Sequence, residues 1–298
     1  MQRKNYSKKS EAPHYLNKNI KQHKTVTHMV KKQEQYTYRY PHPSVTADAV
    51  LFGYGSLESN KDDELHVLLI ERGLEPYKGM MALPGGFLNL IDDGERKEDE
   101  DMETCVRREL HEETGLEVPF MNEFGVFSQK DRDPRVDKYG LKERVITVAF
   151  YGFVRMKEFK EVQGGDDARL AQWVPLKKVL NDTPLAFDHK QIISKAIERL
   201  REEIHFKPIA FNIVDKEFTI DQLRKVYEAV LDIELDRGNF RKKILNLGYV
   251  KDTGKRNTGN AHRSPFLYEF DEEAYNRTKD YREYTDNNKR KIGKRLEF

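Results

Sequence analysis

Apolar and polar positions alternate with a period of two in several short stretches of this chain and repeat at helical spacing in others. SVTADAVLFGY, from Ser44, alternates and then runs apolar; LHVLLIER is rich in aliphatic residues; GMMALPGGF ends in the pair Gly85 and Gly86. These predict strands. FGVFSQ, RVITVAFYGFVRM and LAQWVPL predict three more. FDHKQIISKAIERLREEI predicts a helix that carries Ile192, Ile193, Ala196 and Leu200 on one face.

Further along, FTIDQLRKVYEAVL has Thr219 as an N-cap with Gln222 three residues on, a capping box. Its Ile220, Leu223, Val226, Tyr227 and Val230 share one face. The break DIEL leads to a second cap at Asp236. A helix follows in which Phe240, Ile244 and Leu247 point inward, and Gly248 ends it. YVKD, a glycine-containing tip and FLYEF then read as a β-hairpin. Two helices across a tight break, followed by a hairpin, predict a winged helix-turn-helix.

One helix breaks its own amphipathic rule. In the stretch from Gly94 to Leu116, Met102, Cys105 and Val106 share a stripe that continues through Glu109, Glu112 and Glu113. Carboxylates at this spacing repel one another unless a hard cation lies between them, and Mg²⁺ or Mn²⁺ takes such oxygens together with substrate phosphates. The last turn therefore predicts a metal platform at the edge of a cleft. Arg108 stands one turn before Glu112 and is placed to pair with it, and Gly115 supplies the helix stop.

The composition divides the chain. Its 298 residues leave room for two domains. A charged fraction of 35% and a mean hydropathy of -0.84 indicate that part of it is tail or linker. The boundaries read as a flexible basic arm over 1–43, a first domain over 44–206, the winged helix over 207–272 and a polar tail over 273–298. The net charge of +2 hides an acidic metal helix and a basic stretch near the second helix of the winged unit. That stretch makes Arg237, Asn239, Arg241 and Lys242, with Lys255, Arg256 and Arg263 on the wing, the candidates for contact with double-stranded DNA. The competing reading is a solvated helix pair that only packs on the first domain. No apolar run reaches the ~18 residues of a membrane span, and the N-terminal stretch is polar. The lone Cys105, on an inner stripe, excludes an intrachain disulfide. The expectation is a cytoplasmic protein that makes no membrane contact.

The spacing Gly94, Glu100, Arg108, Glu109, Leu110, Glu112, Glu113, Gly115, Leu116 resembles the Nudix box at every fixed position. The resemblance implies an α/β/α sandwich around a mixed sheet. It also implies metal-dependent hydrolysis of a nucleoside diphosphate derivative, with Arg108, Glu109, Glu112 and Glu113 as catalytic residues and the three glutamates as metal ligands. The water-activating base stays open between the box and a loop carboxylate such as Glu143. In the family the first glycine of the box usually belongs to a strand-end pair, which here matches Gly85 and Gly86, so Phe87 to Gly94 reads as an inserted loop.

RDPR, with Arg132 and Arg135, resembles a phrase of ADP-ribose pyrophosphatases and Nudix-related regulators of NAD metabolism. Two readings fit it: a bidentate clamp on phosphate or ribose oxygens, and an ion-pair network that stiffens a loop. Arg72, Gly86, Arg132 and Arg135 are the ligand-binding candidates. Trp173 and Phe187 are expected in the core, and His189 at a helix N-terminus. The segment from Phe218 to Leu245 resembles the C-terminal winged helix of Nudix-related transcriptional regulators, which include repressors of NAD synthesis and arabinose regulators. That second resemblance implies a homodimeric DNA-binding regulator with a nucleotide or sugar effector.

Overall fold

The computed structural model describes residues 39, 42–57, 62–90, 99–136, 140–159, 168–258 and 264–277. Gly94, Arg263, nearly all of the basic arm and the tail beyond 277 lie outside the described residues.

Seven strands form one sheet: β1 (Ser44–Gly55), β2 (Glu64–Arg72), β3 (Met81–Ala82), β4 (Gly85–Phe87), β5 (Asn122–Phe127), β6 (Val145–Arg155) and β7 (Ala168–Pro175). The order is β3-β2-β1-β6-β5, with β4 also on β1 and β7 also on β2. β1 pairs with β6 in parallel and with β2 and β4 antiparallel, so the sheet is mixed.

The alternation along β1 sorts the two layers. Ala47, Ala49 and Leu51 face one side, where they meet Cys105, Val106 and Leu110 of α1 (Met102–Thr114). Val50, Phe52 and Tyr54 face the other, against Ile192, Ile193, Ala196 and Leu200 of the later helix His189–Glu203. A short helix α2 (Leu176–Asn181), which the sequence pattern does not announce, follows β7, and His189–Glu203 is therefore α3. The result is a sheet between helical layers, as the Nudix resemblance implies. Trp173 is core, as expected; its Nε1–H donates to the Phe159 carbonyl at 3.1 Å.

The apolar cluster around α3 does not stop at the end of that helix. It runs on through Phe211 and Phe218 to Leu223, Val226 and Val230 of α4 (Ile220–Leu231) and to Phe240 and Ile244 of α5 (Arg237–Leu245). The described residues from His42 onward accordingly cluster as one compact unit. Polar clasps reinforce the seam: Arg201 Nε donates to the Val230 carbonyl at 2.9 Å, and Arg155 reaches the Ile213 carbonyl at 2.7 Å and Asp215 at 2.6 Å.

The capping box at Thr219 is formed, with Gln222 Oε1 accepting from the Thr219 amide at 2.8 Å. Asp236 caps α5 by accepting from the Asn239 amide at 2.7 Å. Arg224 fixes the turn between the two helices, since its guanidinium binds Asp221, Glu228 and the Leu235 carbonyl. The wing is the antiparallel hairpin of β8 (Val250–Arg256) and β9 (Phe266–Phe270). Among the described residues, no helix is long and apolar enough to cross a membrane.

Candidate ligand cleft and nucleic-acid surface

β4 and the last turns of α1 build one wall of a cleft of about 690 Å³. Asp101 caps α1, accepting from the Thr104 amide at 2.8 Å, and Gly115 ends it at φ 71°, a left-handed geometry that favours glycine. Gly85 and Gly86 lie directly against this helix. The Gly85 amide donates to Glu113 Oε2 at 2.8 Å, and a Cβ on Gly86 would stand 2.3 Å from Glu109 Oε1. The strand-end pair therefore lies in contact with the glutamate-bearing turns of α1.

Arg108 organises the carboxylates. Its Nη1 donates to Glu109 at 2.8 Å and to Glu112 at 3.0 Å, while Nε and Nη2 grip Glu100 at 2.9 and 2.6 Å. Nη2 also donates to the Phe87 carbonyl at 3.1 Å, which ties β4 to the helix. Burial works against the ionised form of Glu100, yet Arg108 prevails and holds its carboxyl below the usual range. For Glu109 burial wins over Arg108 and the carboxyl is raised. Burial pushes the Glu113 carboxyl up to about 8, against the Gly85 amide and with the neighbouring Glu109 adding to the rise.

Among the described residues, no group of three His, Cys, Asp or Glu side chains is closed enough to hold a metal ion, and a guanidinium nitrogen bridges Glu109 and Glu112. The donor chemistry fits Mg²⁺ or Mn²⁺ all the same. The three glutamates present only hard oxygens, and two of them are held with raised pKa values beside a backbone cleared of side chains.

The opposite wall comes from the loops after β2 and β5 and from the start of α3. Arg72 and Arg135 stand over the Phe187 ring at 4.7 and 5.6 Å, and Arg135 also covers Phe87 at 4.8 Å. Tyr77 meets Phe187 edge-on at 5.0 Å. Tyr77 and Phe187 have φ of 65° and 52°, rare for aromatic residues, and such strain concentrates at ligand sites. Phe187, expected in the core, packs against the small cluster of Ile70, Ala82, Ala171 and Ala186 and also lines the cleft, because the turn entering α3 carries it there.

Arg132 is buried and committed to Asp188, with Nε at 3.0 Å and Nη2 at 2.7 Å. It braces the cleft floor, and Arg135 is the more open of the two loop arginines. Glu143 lines the cleft as well. His189 opens α3 as expected, but its Nδ1 accepts from the Leu83 amide at 2.8 Å, and its ring also faces the cleft. Asp48, Tyr77 and Asp188 escape the sequence reading. The available signal was a single charge, Asp48, inside an otherwise apolar strand.

On the winged unit, Phe240 and Ile244 are buried, which turns Arg237, Asn239, Arg241 and Lys242 outward. Arg237 Nε lies 3.6 Å from Asp221, and the Arg241 guanidinium covers the Tyr268 ring at 5.3 Å. Lys255 pairs with Glu217 at 2.5 Å, and Arg256 stacks on Phe266 at 4.0 Å. Helix and wing therefore place cations on the exposed surface of one small unit.

Residues 52–196 match the model of the NUDIX domain, and residues 210–270 match that of the NrtR DNA-binding winged helix domain. The chain is 38% identical over 167 residues to an ADP-ribose pyrophosphatase of Methanocaldococcus jannaschii, covering 55% of this chain and 80% of that protein. The chain belongs to the Nudix family. Within that family it is also 28% identical over 232 residues to the ADPR responsive transcriptional repressor NtrR of Acinetobacter baylyi, covering 78% of this chain and 83% of the repressor. The crystal structure of Shewanella oneidensis NrtR complexed with a 27mer DNA superimposes with a TM-score of 0.60 at 30% identity, covering 76% of this chain and 93% of the other. This likeness spans both the Nudix fold and the winged helix, so the pairing of the two units is shared with it.

Proposed function

We propose that this protein is a DNA-binding transcriptional regulator whose Nudix cleft takes a nucleoside diphosphate derivative of the ADP-ribose class. The observation that carries the reading is that one helix joins the cleft to the winged unit. α3 begins at the cleft, where Asp188 holds Arg132, and its later turns pack on α4, where Arg201 holds the Val230 carbonyl. A ligand that alters the cleft end of this helix acts on the element against which the DNA-binding unit is packed. Similarity to an ADPR responsive repressor and to a DNA-bound NrtR supports the same reading. Two copies of the winged helix in a homodimer are part of the proposal, since paired half-sites need paired recognition helices.

The cleft supplies the chemistry for binding. Arg72 and Arg135 offer cations to phosphate oxygens, and the Phe87 and Phe187 rings offer faces for a base. Gly86, having no Cβ, lets the Glu109 carboxyl lie directly against β4 at the cleft. Glu109, Glu112 and Glu113 are the residues that would hold Mg²⁺ or Mn²⁺, which supplies charge neutralisation on the diphosphate and an acidified water. Arg108 orients Glu109 and Glu112 for that task.

Retention of all three glutamates, together with 38% identity to a pyrophosphatase, favours a second activity in the same chain, hydrolysis of the effector to AMP and ribose phosphate. Operator duplexes selected from a random pool, titrated with the full chain with and without ADP-ribose, test the regulator. A change in affinity on adding ADP-ribose is the expected result, and an affinity indifferent to it would refute effector control. AMP release in Mg²⁺ tests the hydrolase separately.

A further inference from the structure

The cations of the winged unit are not equivalent. Arg237 stands 3.6 Å from Asp221, Lys251 pairs with Asp271 at 2.9 Å and Lys255 with Glu217 at 2.5 Å, so each of these charges already has a carboxylate beside it. Among the described residues, no carboxylate pairs with Arg241. Its guanidinium lies over the Tyr268 ring, 5.3 Å from the centroid. An aromatic ring attracts a cation within about 6 Å and does not neutralise it. Arg241 therefore keeps its full charge and its N–H donors for an anion while its position is restrained.

The ring is a fixed mark. Tyr268 is buried in the middle of β9, and its backbone exchanges hydrogen bonds of 2.8 and 2.9 Å with Phe218, the residue before the Thr219 cap of α4. It shares one apolar cluster with Phe240 and Ile244 of α5. Its hydroxyl is buried without a hydrogen-bond partner, so the oxygen adds nothing to stability that phenylalanine would lack. What the residue offers Arg241 is its face. On α5 the buried pair Phe240 and Ile244 sets the inward direction. At about 100° per residue, Lys242 stands about 180° from that direction and Arg241 about 80°, on the flank beside the wing. Lys242 is thus turned toward a groove that the helix would enter, and Arg241 toward the phosphates of a duplex lying across helix and wing. We propose that Tyr268 is a positioning residue for DNA binding, whose ring presets Arg241 as a phosphate contact at the junction of helix and wing. This inference rests on the reading of the winged unit as a DNA-binding surface.

The experiment is a double-mutant cycle on the full chain, read by fluorescence anisotropy over a series of KCl concentrations. The probes are a duplex selected from a random pool and an unselected duplex of equal length. The variants are Arg241→Ala, Tyr268→Phe, Tyr268→Leu, Tyr268→Met and the combination of Arg241→Ala with Tyr268→Leu. Melting temperatures identify the folded ones, and two ring-free replacements keep the comparison available if one of them fails to fold. Arg241→Ala should weaken both duplexes by the same factor and reduce the slope of log affinity against log salt by about 1, as loss of a single phosphate contact does. Tyr268→Leu and Tyr268→Met should each weaken both duplexes by about 2- to 10-fold, because Arg241 must then be ordered on binding. Tyr268→Phe keeps the face and should bind as the wild type does, melting no lower. With Arg241 already replaced, Tyr268→Leu should cost nothing further, a result that a damaged wing has no means of producing. A loss in Arg241→Ala confined to the selected duplex would make Arg241 a base reader and overturn the assignment. Ring-free variants that bind like the wild type, a Tyr268→Phe loss equal to that of Tyr268→Leu, or losses that add overturn the role of Tyr268 and leave the DNA-binding reading intact. A folded wild type that binds neither duplex at any salt overturns that reading and this inference with it.

Discussion

At the scale of single residues, clearance and orientation decide what the cleft can do. The Gly86→Ala substitution places a methyl group 2.3 to 2.5 Å from the Glu109 carboxyl atoms, so that carboxylate must move. A displacement of about 1 Å at a reacting centre costs about a hundredfold in rate, and kcat for AMP release should fall by that order while operator binding persists. Unchanged turnover in Gly86→Ala would show that Glu109 takes no part. Arg108→Ala removes the group that orients Glu109 and Glu112. It should cost about 10- to 100-fold in metal affinity or turnover, measured as the Mg²⁺ dependence of AMP release. His189 gives a pH signature. Burial, with Arg132 adding to it, pushes its imidazole down to about 3, so the folded state holds it neutral where the unfolded chain takes up a proton. Its contribution is complete above the ordinary value of about 6.5 and drains away as the pH falls from there toward 3, at no more than about 1.4 kcal/mol per unit. His189→Asn keeps an acceptor for the Leu83 amide and removes the titration. Urea midpoints of the two proteins should therefore converge with acidification, and parallel pH profiles would rule the histidine out.

At the scale of elements, the regular periods carried most of the information. β1, β6, α3 and α4 were legible because each buries one face or both, and the alternation of Ala47, Ala49 and Leu51 with Val50, Phe52 and Tyr54 even sorts the two layers. α2 was not legible, since a helix of six residues presents less than two full turns of pattern. The cleft was half legible. The glutamates on α1 announce themselves by violating a stripe, whereas Asp48 and Phe187 enter the cleft through β1 pairing and a left-handed turn, which no local period encodes. Caps are the simplest elements to test. Thr219 accepts from the Gln222 amide at 3.2 Å and its own amide donates to Gln222 Oε1 at 2.8 Å, so Thr219→Ala removes the hydroxyl half of the box and leaves the backbone half. A loss of about 1 kcal/mol is expected, read as a lower urea midpoint with an unchanged m-value. A midpoint equal to the wild type would mean that the packing of Ile220 and Leu223 alone fixes the start of α4.

At the scale of the whole molecule, the sequence suggests two domains and the packing joins them. Composition changes near Pro208, from a mixed sheet to a basic helical unit, yet the apolar cluster crosses that point without interruption. α3 is covered by the sheet on one side and by α4 on the other, and Arg155, Arg201 and Lys177 add ion pairs or hydrogen bonds across the seam. A chain cut after residue 206 would leave Ile204 and its neighbours on α3 facing water, and apolar area lost from burial costs about 25 cal/mol per Å². The intact chain should therefore unfold in one step, with loss of near-ultraviolet circular dichroism, which reports the buried Trp173, coinciding with loss of operator binding. The truncated chain should melt lower and expose apolar surface to a hydrophobic dye. Two separated transitions in the intact chain would instead mean that the winged unit is independently stable. A cleft ligand would then have no shared core through which to act, and control of DNA binding would have to come from rearranging the protomers of a dimer. Single-step unfolding, with a ligand-dependent shift of the common midpoint, is the outcome that makes α3 the route between the two surfaces.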